Sequence, residues 1–228
     1  MTELPRSAIF PPAESADPDG LIAIGGDLTP QWLTDAYQHG IFPWPVNDDM
    51  LAWWSPDPRA IIEFDQLHVS RRLARTIGSG QFEVTCDQDF AGVIQGCATA
   101  QDRSHATWIT PEIREAYLRL HEVGVAHSVE VWSQGQLAGG TYGVAFGAMF
   151  AAESKFYQRR DASKVAVAHL VNHLRNRGFQ LLDIQQLTPH MARMGAVEID
   201  RDEFLRRLRI AIASEVTFGE TLAPYDVA

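Results

Sequence analysis

Two strand-like segments of this sequence end in polar side chains that could carry acid-base chemistry. The apolar run 148–152 is followed by Glu153, and the run 179–184 contains Asp183 and is followed by Gln185. Because residues two apart on a strand project from the same face, Asp183 and Gln185 point the same way. Asp183 could equally be a strand end that needs only a local partner, since a buried polar group must be hydrogen-bonded in either case.

Two tryptophans lie outside the periodic apolar pattern. Trp44 ends the segment Gly40-Ile-Phe-Pro-Trp44, and Trp108 lies in Thr107-Trp-Ile-Thr110. Indole rings offer flat faces on which a base or a ribose can stack. Together with the polar strand ends, they suggest a site that could hold an amine and a nucleoside.

The composition indicates a globular protein of one large or two small domains, with 228 residues, 46% hydrophobic and 21% charged. No apolar stretch reaches the roughly 18 residues of a membrane span, so we expect a cytoplasmic protein with no membrane partner. A monomer is also expected. The net charge of -10 argues against bulk attraction to nucleic acid. Arg71, Arg72 and Arg75 on one short predicted helix could still contact phosphates, or form an ordinary solvated face.

Residues 1–59 are rich in Pro and Gly, with one clear helix between Thr29-Pro30 and Gly40, and they predict a small N-terminal α+β module. Residues 60–228 carry regular signals and predict a second domain. Strands are expected at 60–64, 82–85, 127–132, 136–144, 148–152 and 179–184. Helices are expected after Ser70, from Asp87, after Thr110, over 162–177, near Thr188 and after a capping box at Asp200 and Glu203. The fold class is therefore α+β.

The order of strands and helices in residues 60–228 resembles the acyltransferase fold of GCN5-related N-acetyltransferases. That fold usually binds acyl-coenzyme A at a glycine motif opening its central helix. Here the motif Arg75-Thr-Ile-Gly-Ser-Gly80 instead ends a predicted helix, and residues 157–164 contain no glycine. A coenzyme A-dependent N-acyltransferase stays an alternative without a visible pyrophosphate site. His169 and His173 have metal-pair spacing but no third ligand at a recognised spacing, so no metal is expected.

A set of motifs along nearly the whole chain resembles one family, the leucyl/phenylalanyl-tRNA-protein transferases. The motifs are Asp19-Gly-Leu-Ile-Ala-Ile-Gly-Gly-Asp-Leu-Thr-Pro30, Ala36-Tyr37, Gly40-Ile-Phe-Pro-Trp44, Trp53-Trp-Ser-Pro-Asp-Pro-Arg59, Thr107-Trp-Ile-Thr110, Ala116-Tyr117, Ala126-His-Ser-Val-Glu130, Tyr142-Gly-Val144, Glu153-Ser154, Ala162-Ser-Lys164 and Gly195-Ala196. They occur in the family's order and at its spacing.

The resemblance implies an aminoacyltransferase that moves Leu or Phe from aminoacyl-tRNA to acceptor proteins with N-terminal Arg or Lys, which marks them for degradation. It implies that Trp44 and Trp108 flank the terminal adenosine of the tRNA. Glu153 and Gln185 would hold the amine and the ester, and Asp183 would orient Gln185. No cofactor is implied. We expect Gln185 to accept from the attacking amine while Glu153 anchors the acceptor.

The predicted aminoacyl pocket consists of Thr141, Phe150, Lys155 and Leu170. Lys155 stands where the family typically has methionine, and Thr141 where an apolar residue is common. Either the Lys155 ammonium reaches solvent and the pocket still takes Leu or Phe, or the donor has changed to a more polar or acidic amino acid. A non-catalytic aminoacyl-tRNA binding protein is a further alternative, but it would not need Glu153, Asp183 and Gln185 together.

Overall fold

The computed structural model of the protein describes residues 6–47, 50–100 and 107–225. The first residues of the predicted N-terminal module, 1–5, and the last residues of the predicted second domain, 226–228, lie outside the described residues. The strands are β1 Leu21–Ile24, β2 Phe42–Pro43, β3 Ala52–Trp54, β4 Arg59–Ile62, β5 Glu83–Cys86, β6 Ala126–Ser133, β7 Gln136–Phe146, β8 Met149–Tyr157, β9 Leu181–Gln185 and β10 Ala196–Ile199. The α-helices are α1 Pro30–Gln38, α2 Arg71–Gly78, α3 Phe90–Thr99, α4 Pro111–Glu122, α5 Ala162–Arg177, α6 Pro189–Ala192 and α7 Arg201–Ile212.

The strands form two sheets, and the larger one carries most of the protein. Its order is β10-β4-β9-β8-β7-β6-β5, antiparallel throughout except for the parallel pair β8 and β9. The long helix α5 is the crossover between those two parallel strands, as a parallel connection requires. A separate three-stranded antiparallel sheet of order β1-β3-β2 accompanies α1 near the N-terminus. This arrangement confirms the predicted α+β class.

Local capping residues set the starts of several helices, as the sequence indicated. The side chains of Thr29, Ser70, Thr110 and Thr188 each accept a hydrogen bond from a main-chain N–H in the first turn. These bonds satisfy donors that have no partner inside the helix. The predicted starts of α1, α2, α4 and α6 are therefore confirmed.

One predicted helix start and one predicted capping interaction were wrong, although α7 does begin directly after Asp200. The helix expected from Asp87 is capped instead by Asp89, whose carboxylate accepts from the N–H of Gly92. Asp87 adopts a left-handed conformation and accepts from the N–H of Ser128 on the neighbouring strand. The capping box at Asp200 does not form, because that side chain makes no capping bond and Glu203 binds Arg206 and Arg207. Competing partners replaced the local pairing in both cases.

Helices cover both faces of the large sheet, and the strand β7 shows why they can lie so close. A side-chain carbon at Gly139 would approach Ala162 of α5 to 2.7 Å, and one at Gly140 would approach Val93 of α3 to 2.9 Å. The two adjacent glycines therefore admit one helix on each face. An apolar core is continuous across the predicted boundary at residues 59 and 60, since Leu33 belongs to the same cluster as Tyr117. The boundary itself stays a prediction.

A buried ion pair joins the start of β4 to β9. Arg59 and Asp183 are each only 1% exposed, and the Arg59 Nε and Nη2 atoms donate to the two carboxylate oxygens at 2.9 and 2.7 Å. Arg59 Nη1 also donates to the Gly40 carbonyl at 3.1 Å, and the guanidinium lies between the rings of Phe42 and Phe204. The pair thus connects the N-terminal module to the strand that carries the polar end Asp183 to Gln185.

We predict that Arg59→Leu lowers the free energy of unfolding by about 3–5 kcal/mol, because it leaves the Asp183 carboxylate buried without its counter-charge. The measurement is urea unfolding at neutral pH. The double variant Arg59→Leu with Asp183→Leu is the control and should be less destabilised than the single variant, since neither charge is then left alone. Equal losses in the two variants would contradict the assignment.

Candidate active site

A cavity of about 280 Å³ opens where β8 and β9 stop pairing. The parallel register runs from Met149 opposite Leu181 to Ala151 opposite Asp183, and the two strands diverge beyond it. The cavity walls come from both diverging strands, from α5, and from the segment that carries Trp44. Of the polar strand ends singled out in the sequence, Glu153 and Gln185 line this cavity.

Glu153 lies in a β-bulge that turns its side chain into the cavity wall. The register between β7 and β8 pairs Gly143 with Ala152 and Tyr142 with Ser154, so Glu153 is the extra residue of β8. A bulge of this kind bends a strand and redirects a side chain, and such bulges are common beside active sites. The regular alternation of a strand is therefore interrupted at Glu153, a carboxylate that lines the cavity.

Gln185 is held in an unusual backbone conformation next to Glu153. Its φ is +58°, a region that residues other than glycine adopt infrequently. The main-chain N–H of Gln185 donates to Asp183 Oδ1 at 2.9 Å, and its Nε2 donates to Glu153 Oε1 at 2.9 Å. Asp183 thus contacts the backbone of Gln185, while Glu153 orients the side-chain amide. The sequence predicts that Asp183 orients Gln185, and the observed contact is with the main chain of Gln185. The hydrogen bond between the Gln185 amide and Glu153 is not predicted by the sequence.

Two buried tyrosines complete the surroundings of Glu153. The Tyr117 hydroxyl donates to Glu153 Oε2 at 3.1 Å, and the hydroxyls of Tyr37 and Tyr117 are hydrogen-bonded to each other. In the sequence both tyrosines stand only within the motifs Ala36-Tyr37 and Ala116-Tyr117, and neither is predicted to belong to the site. The available signal was their chemistry, because a buried tyrosine hydroxyl usually has a hydrogen-bond partner.

Burial raises the pKa of the Glu153 carboxyl group to about 7. The negative charge of Asp183 raises the pKa further, whereas hydrogen bonds from Tyr37 and Tyr117 and the positive charge of Arg59 lower it. The carboxyl group therefore exchanges its proton near neutral pH. That is the range in which a carboxylate can accept a proton and release it again efficiently.

Trp44 and Trp108 both border the cavity, but their rings lie directly against each other. The ring centroids are 4.8 Å apart with an angle of 20° between the planes. No base fits between them in this arrangement. Trp108 is 9% exposed, whereas Trp44 is 40% exposed and presents its outer face to solvent. A nucleoside would either stack on that face or separate the two rings.

Three of the four residues predicted for an aminoacyl pocket line the cavity, namely Thr141, Lys155 and Leu170. Phe150 does not line it, which corrects the prediction. Its ring lies over Gly143, where any side chain would collide with it, and packs against Phe218 with centroids 5.6 Å apart. The absent side chain at Gly143 leaves room for this ring inside the core beneath α5.

The two unusual pocket residues both interact with polar groups outside the aliphatic wall. The Thr141 hydroxyl donates to the Ser154 carbonyl at 2.9 Å, so its hydrogen-bonding capacity is used within the sheet. The charge of Lys155 acts on His190, which lies outside the cavity wall. Much of the remaining wall is aliphatic, and it also includes Phe42 and the polar residues Ser154, Gln186 and Thr188; the aliphatic members are Ala152, Ile62, Val167, Leu170, Leu182, Ile184 and Met191.

The arginines of α2 lie apart from the cavity, on the surface. Arg71, Arg72 and Arg75 are exposed, and Arg72 Nη2 donates to Asp161 Oδ1 at 2.8 Å. That bond ties α2 to the residue that precedes α5. Within the described residues there is no group of three or more His, Cys, Asp or Glu side chains that could hold a metal ion. In the same part of the chain, none of the helices combines the length and apolar character of a membrane span.

Two family models match consecutive parts of this chain. Residues 61–209 match the model described as leucyl/phenylalanyl-tRNA protein transferase. Residues 26–57 match the model of the N-terminal domain of the same protein. The two matches together cover Trp44, Trp108, Glu153, Asp183 and Gln185.

Relatives of similar length share about half of the residues. A leucyl/phenylalanyl-tRNA–protein transferase of Solidesulfovibrio magneticus is 50% identical over 217 residues, which is 95% of this chain and 88% of that protein. One of Nitratidesulfovibrio vulgaris is 50% identical over 225 residues, 98% of this chain and 96% of that protein. Among solved structures, a GCN5-related N-acetyltransferase from Kribbella flavida superposes with a TM-score of 0.38 at 13% identity, covering 74% of this chain and 60% of that one.

We predict a pH-dependent stability that Glu153→Gln removes. The usual pKa of this carboxyl group is 4.5 and the folded value is about 7. Between these values the folded protein keeps a proton that the unfolded chain has released, so the free energy of unfolding falls as the pH rises and levels off above the folded pKa.

From pH 4.5 to 8 the native protein should lose about 2–3 kcal/mol more than the Glu153→Gln variant. Urea unfolding at intervals of half a pH unit measures both. Parallel curves for the two proteins would show that the carboxyl group does not titrate in this window.

Proposed function

This chain belongs to the leucyl/phenylalanyl-tRNA protein transferase family, and on that premise we propose that it joins leucine or phenylalanine from aminoacyl-tRNA to the N-terminal Arg or Lys of acceptor proteins. It is an aminoacyltransferase that uses a tRNA-bound amino acid and a protein acceptor. The modified N-terminus would mark the acceptor for degradation. Translation consumes aminoacyl-tRNA and produces the acceptor proteins, so we propose that the reaction takes place in the cytoplasm.

The observation that carries the proposal is the junction of an aliphatic cavity with the pair Glu153 and Gln185. The aliphatic wall would take the side chain of the donor amino acid, and burying a leucine or phenylalanine side chain contributes roughly 1.5–3 kcal/mol. The donor's ester carbonyl would then lie near Gln185, with the terminal adenosine at Trp44. An aminoacyl ester is already activated, so much of the rate can come from placing the amine beside that carbonyl.

Glu153 is the group best suited to take the proton from the acceptor. A protonated α-amine cannot attack an ester, whereas loss of one proton to the Glu153 carboxylate yields the free nucleophile. Because Gln185 donates its NH₂ group to Glu153, its Oε1 atom remains to accept a hydrogen bond from the amine. The nitrogen attacks the ester carbonyl, the C–N bond forms, and the C–O bond to the ribose breaks. The protonated Glu153 carboxyl group gives its proton to the departing ribose oxygen, which leaves as a hydroxyl, and the regenerated carboxylate takes the extra proton of the attacking nitrogen, so that a neutral amide remains.

Asp183 acts in this scheme as a positioning residue. Its carboxylate lies between the Arg59 guanidinium and the N–H of Gln185, and it holds that residue in the left-handed conformation. The negative charge of Asp183 also helps to keep the pKa of Glu153 high. Both effects reach the acceptor amine through neighbouring side chains.

The more polar donor considered in the sequence analysis remains the second candidate, and Lys155 is the observation that favours it. Lys155 is part of the cavity lining. The aliphatic wall and the charge of Lys155 near His190 support leucine or phenylalanine instead. A coenzyme A-dependent acyltransferase would carry its glycine motif directly before α5. The glycines of the candidate motif lie elsewhere, since Gly78 ends α2 and Gly80 lies in the turn before β5.

A transfer assay with single charged tRNAs tests the donor. We expect a peptide with N-terminal Arg to gain the mass of leucine or phenylalanine, and no mass from Asp-tRNA or Glu-tRNA. The same peptide beginning with Ala is the control for the acceptor. Transfer of an acidic residue would establish the second candidate, and modification by acyl-coenzyme A without tRNA would establish the third.

The proton-transfer role is tested with Glu153→Gln and Tyr117→Phe. Loss of a general base costs about 10²–10⁴ in rate, so Glu153→Gln should reduce kcat by that factor while tRNA binding is kept. Tyr117→Phe removes a hydrogen bond that lowers the Glu153 pKa, so the rising limb of the pH-rate profile should move to higher pH.

The matched control is Tyr157→Phe, since Tyr157 is 58% exposed and lies at the end of the same strand as Glu153. Its pH-rate profile should equal that of the native protein. If Tyr117→Phe lowered the rate without moving the limb, Glu153 would not be the titrating group.

A further inference from the structure

The protein must bind a polyanion although its own net charge is -10. Phosphates dominate the affinity of proteins for nucleic acids, and they are bound by local groups of Lys and Arg side chains. A surface on which positive side chains collect is therefore needed close to the cavity. The arginines of α2 form one such group, and a second group lies nearer to the cavity.

The second group surrounds an open cleft of about 390 Å³ that shares no residue with the cavity lining. Its polar walls are His68, Ser70, Lys164, His190 and Arg193, above an apolar floor. We call this surface the basic cleft. It contains no acidic residue in its walls. The polar side chains come from three separate segments, namely the loop before α2, the first turn of α5, and α6 with the turn that follows it, so the cleft exists only in the folded chain.

The charges of the basic cleft act on one another. The pKa of His190 is lowered, first by burial and then by the positive charges of Lys155, Lys164 and Arg193. Lys155 belongs to the cavity wall, and Lys164 and Arg193 belong to the cleft. Positive side chains of the cavity wall and of the cleft therefore both lie within electrostatic range of His190.

Asp161 links the basic cleft to α2, because its carboxylate pairs with positive side chains of both. This carboxylate is 3.5 Å from Lys164 Nζ, 2.8 Å from Arg72 Nη2 and 4.0 Å from Arg160 Nε. One negative charge thus lies among three positive ones, and the neighbourhood keeps a net positive charge. The lining of the basic cleft includes Leu73 of α2, the helix of the arginines, and His190, which is next in sequence to Met191 of the cavity wall.

We propose that the basic cleft binds phosphate groups of the donor tRNA near its 3′ end, with Lys164 and Arg193 as the main contacts. This inference rests on the proposed function, because it takes the terminal adenosine and its amino acid to lie in the adjoining cavity. Phosphates of the tRNA suit the basic cleft better than the side-chain carboxylate of an acidic donor amino acid does. The cleft is open to solvent and lies outside the cavity that would hold the donor side chain.

The test uses a full-length double variant that combines Lys164→Gln with Arg193→Gln. It removes two positive charges and keeps side chains of similar length. In a plot of log K for the binding of tRNA without an amino acid against log salt concentration, we expect the slope to become shallower by about 1 for each positive charge removed. The control is Arg175→Gln, which removes an exposed charge at the opposite end of α5 from Lys164. Its slope should equal that of the native protein.

A second measurement separates phosphate binding from general damage. Phenylalanyl-adenosine keeps the ester and the terminal nucleoside but has no phosphate. In the double variant the ratio of kcat/KM for Phe-tRNA to kcat/KM for phenylalanyl-adenosine should fall severalfold. Because the ratio compares two donors on one protein, partial unfolding does not change it.

An unchanged salt slope together with an unchanged donor ratio would overturn the proposal. Failure of the proposed function is a different result, namely that the native protein transfers no amino acid from any charged tRNA. The salt slope does not depend on transfer, so it still decides whether the basic cleft binds tRNA phosphates.

Discussion

The buried pair between Arg59 and Asp183 is the interaction on which the rest of the site depends. A charge placed in the interior must be matched by a partner with good geometry, and the guanidinium meets both carboxylate oxygens of Asp183. The same carboxylate accepts a hydrogen bond from the main-chain N–H of Gln185. One ion pair therefore determines where β4, β9 and Gln185 lie relative to one another. It also connects the N-terminal module, through Gly40, to the domain that carries the cavity.

A second constraint is the burial of Glu153 at a break in the regular sheet. A regular β8 would alternate its side chains strictly between faces, and the bulge turns one carboxylate toward the cavity. Burial favours its protonated form, while Tyr117, Tyr37 and Arg59 oppose that effect. The balance leaves the group able to exchange a proton near neutral pH. An acyl transfer from an activated ester requires such a group and requires little further chemistry from the protein.

Much of the fold was predictable because its signals are local. Thr29, Ser70, Thr110 and Thr188 cap helices as their types and positions indicate, and the meander of β6, β7 and β8 follows its turn residues. The errors occurred where a distant partner competed with a local one. Asp87 accepts from Ser128 on a neighbouring strand instead of opening α3, and Phe150 packs in the core over Gly143 instead of lining the cavity.

The sequence by itself determined the class of fold, the family and the identity of the polar residues in β8 and at the end of β9, because these depend on residue types and short spacings. Only the tertiary structure decided how they are connected. Arg59 and Asp183 are 124 positions apart, and Tyr117 meets Glu153 across 36 positions. The direct stacking of Trp44 on Trp108 likewise depends on how separate segments pack. No local propensity specifies such pairs, since burial and the need to satisfy buried polar groups act on the chain as a whole.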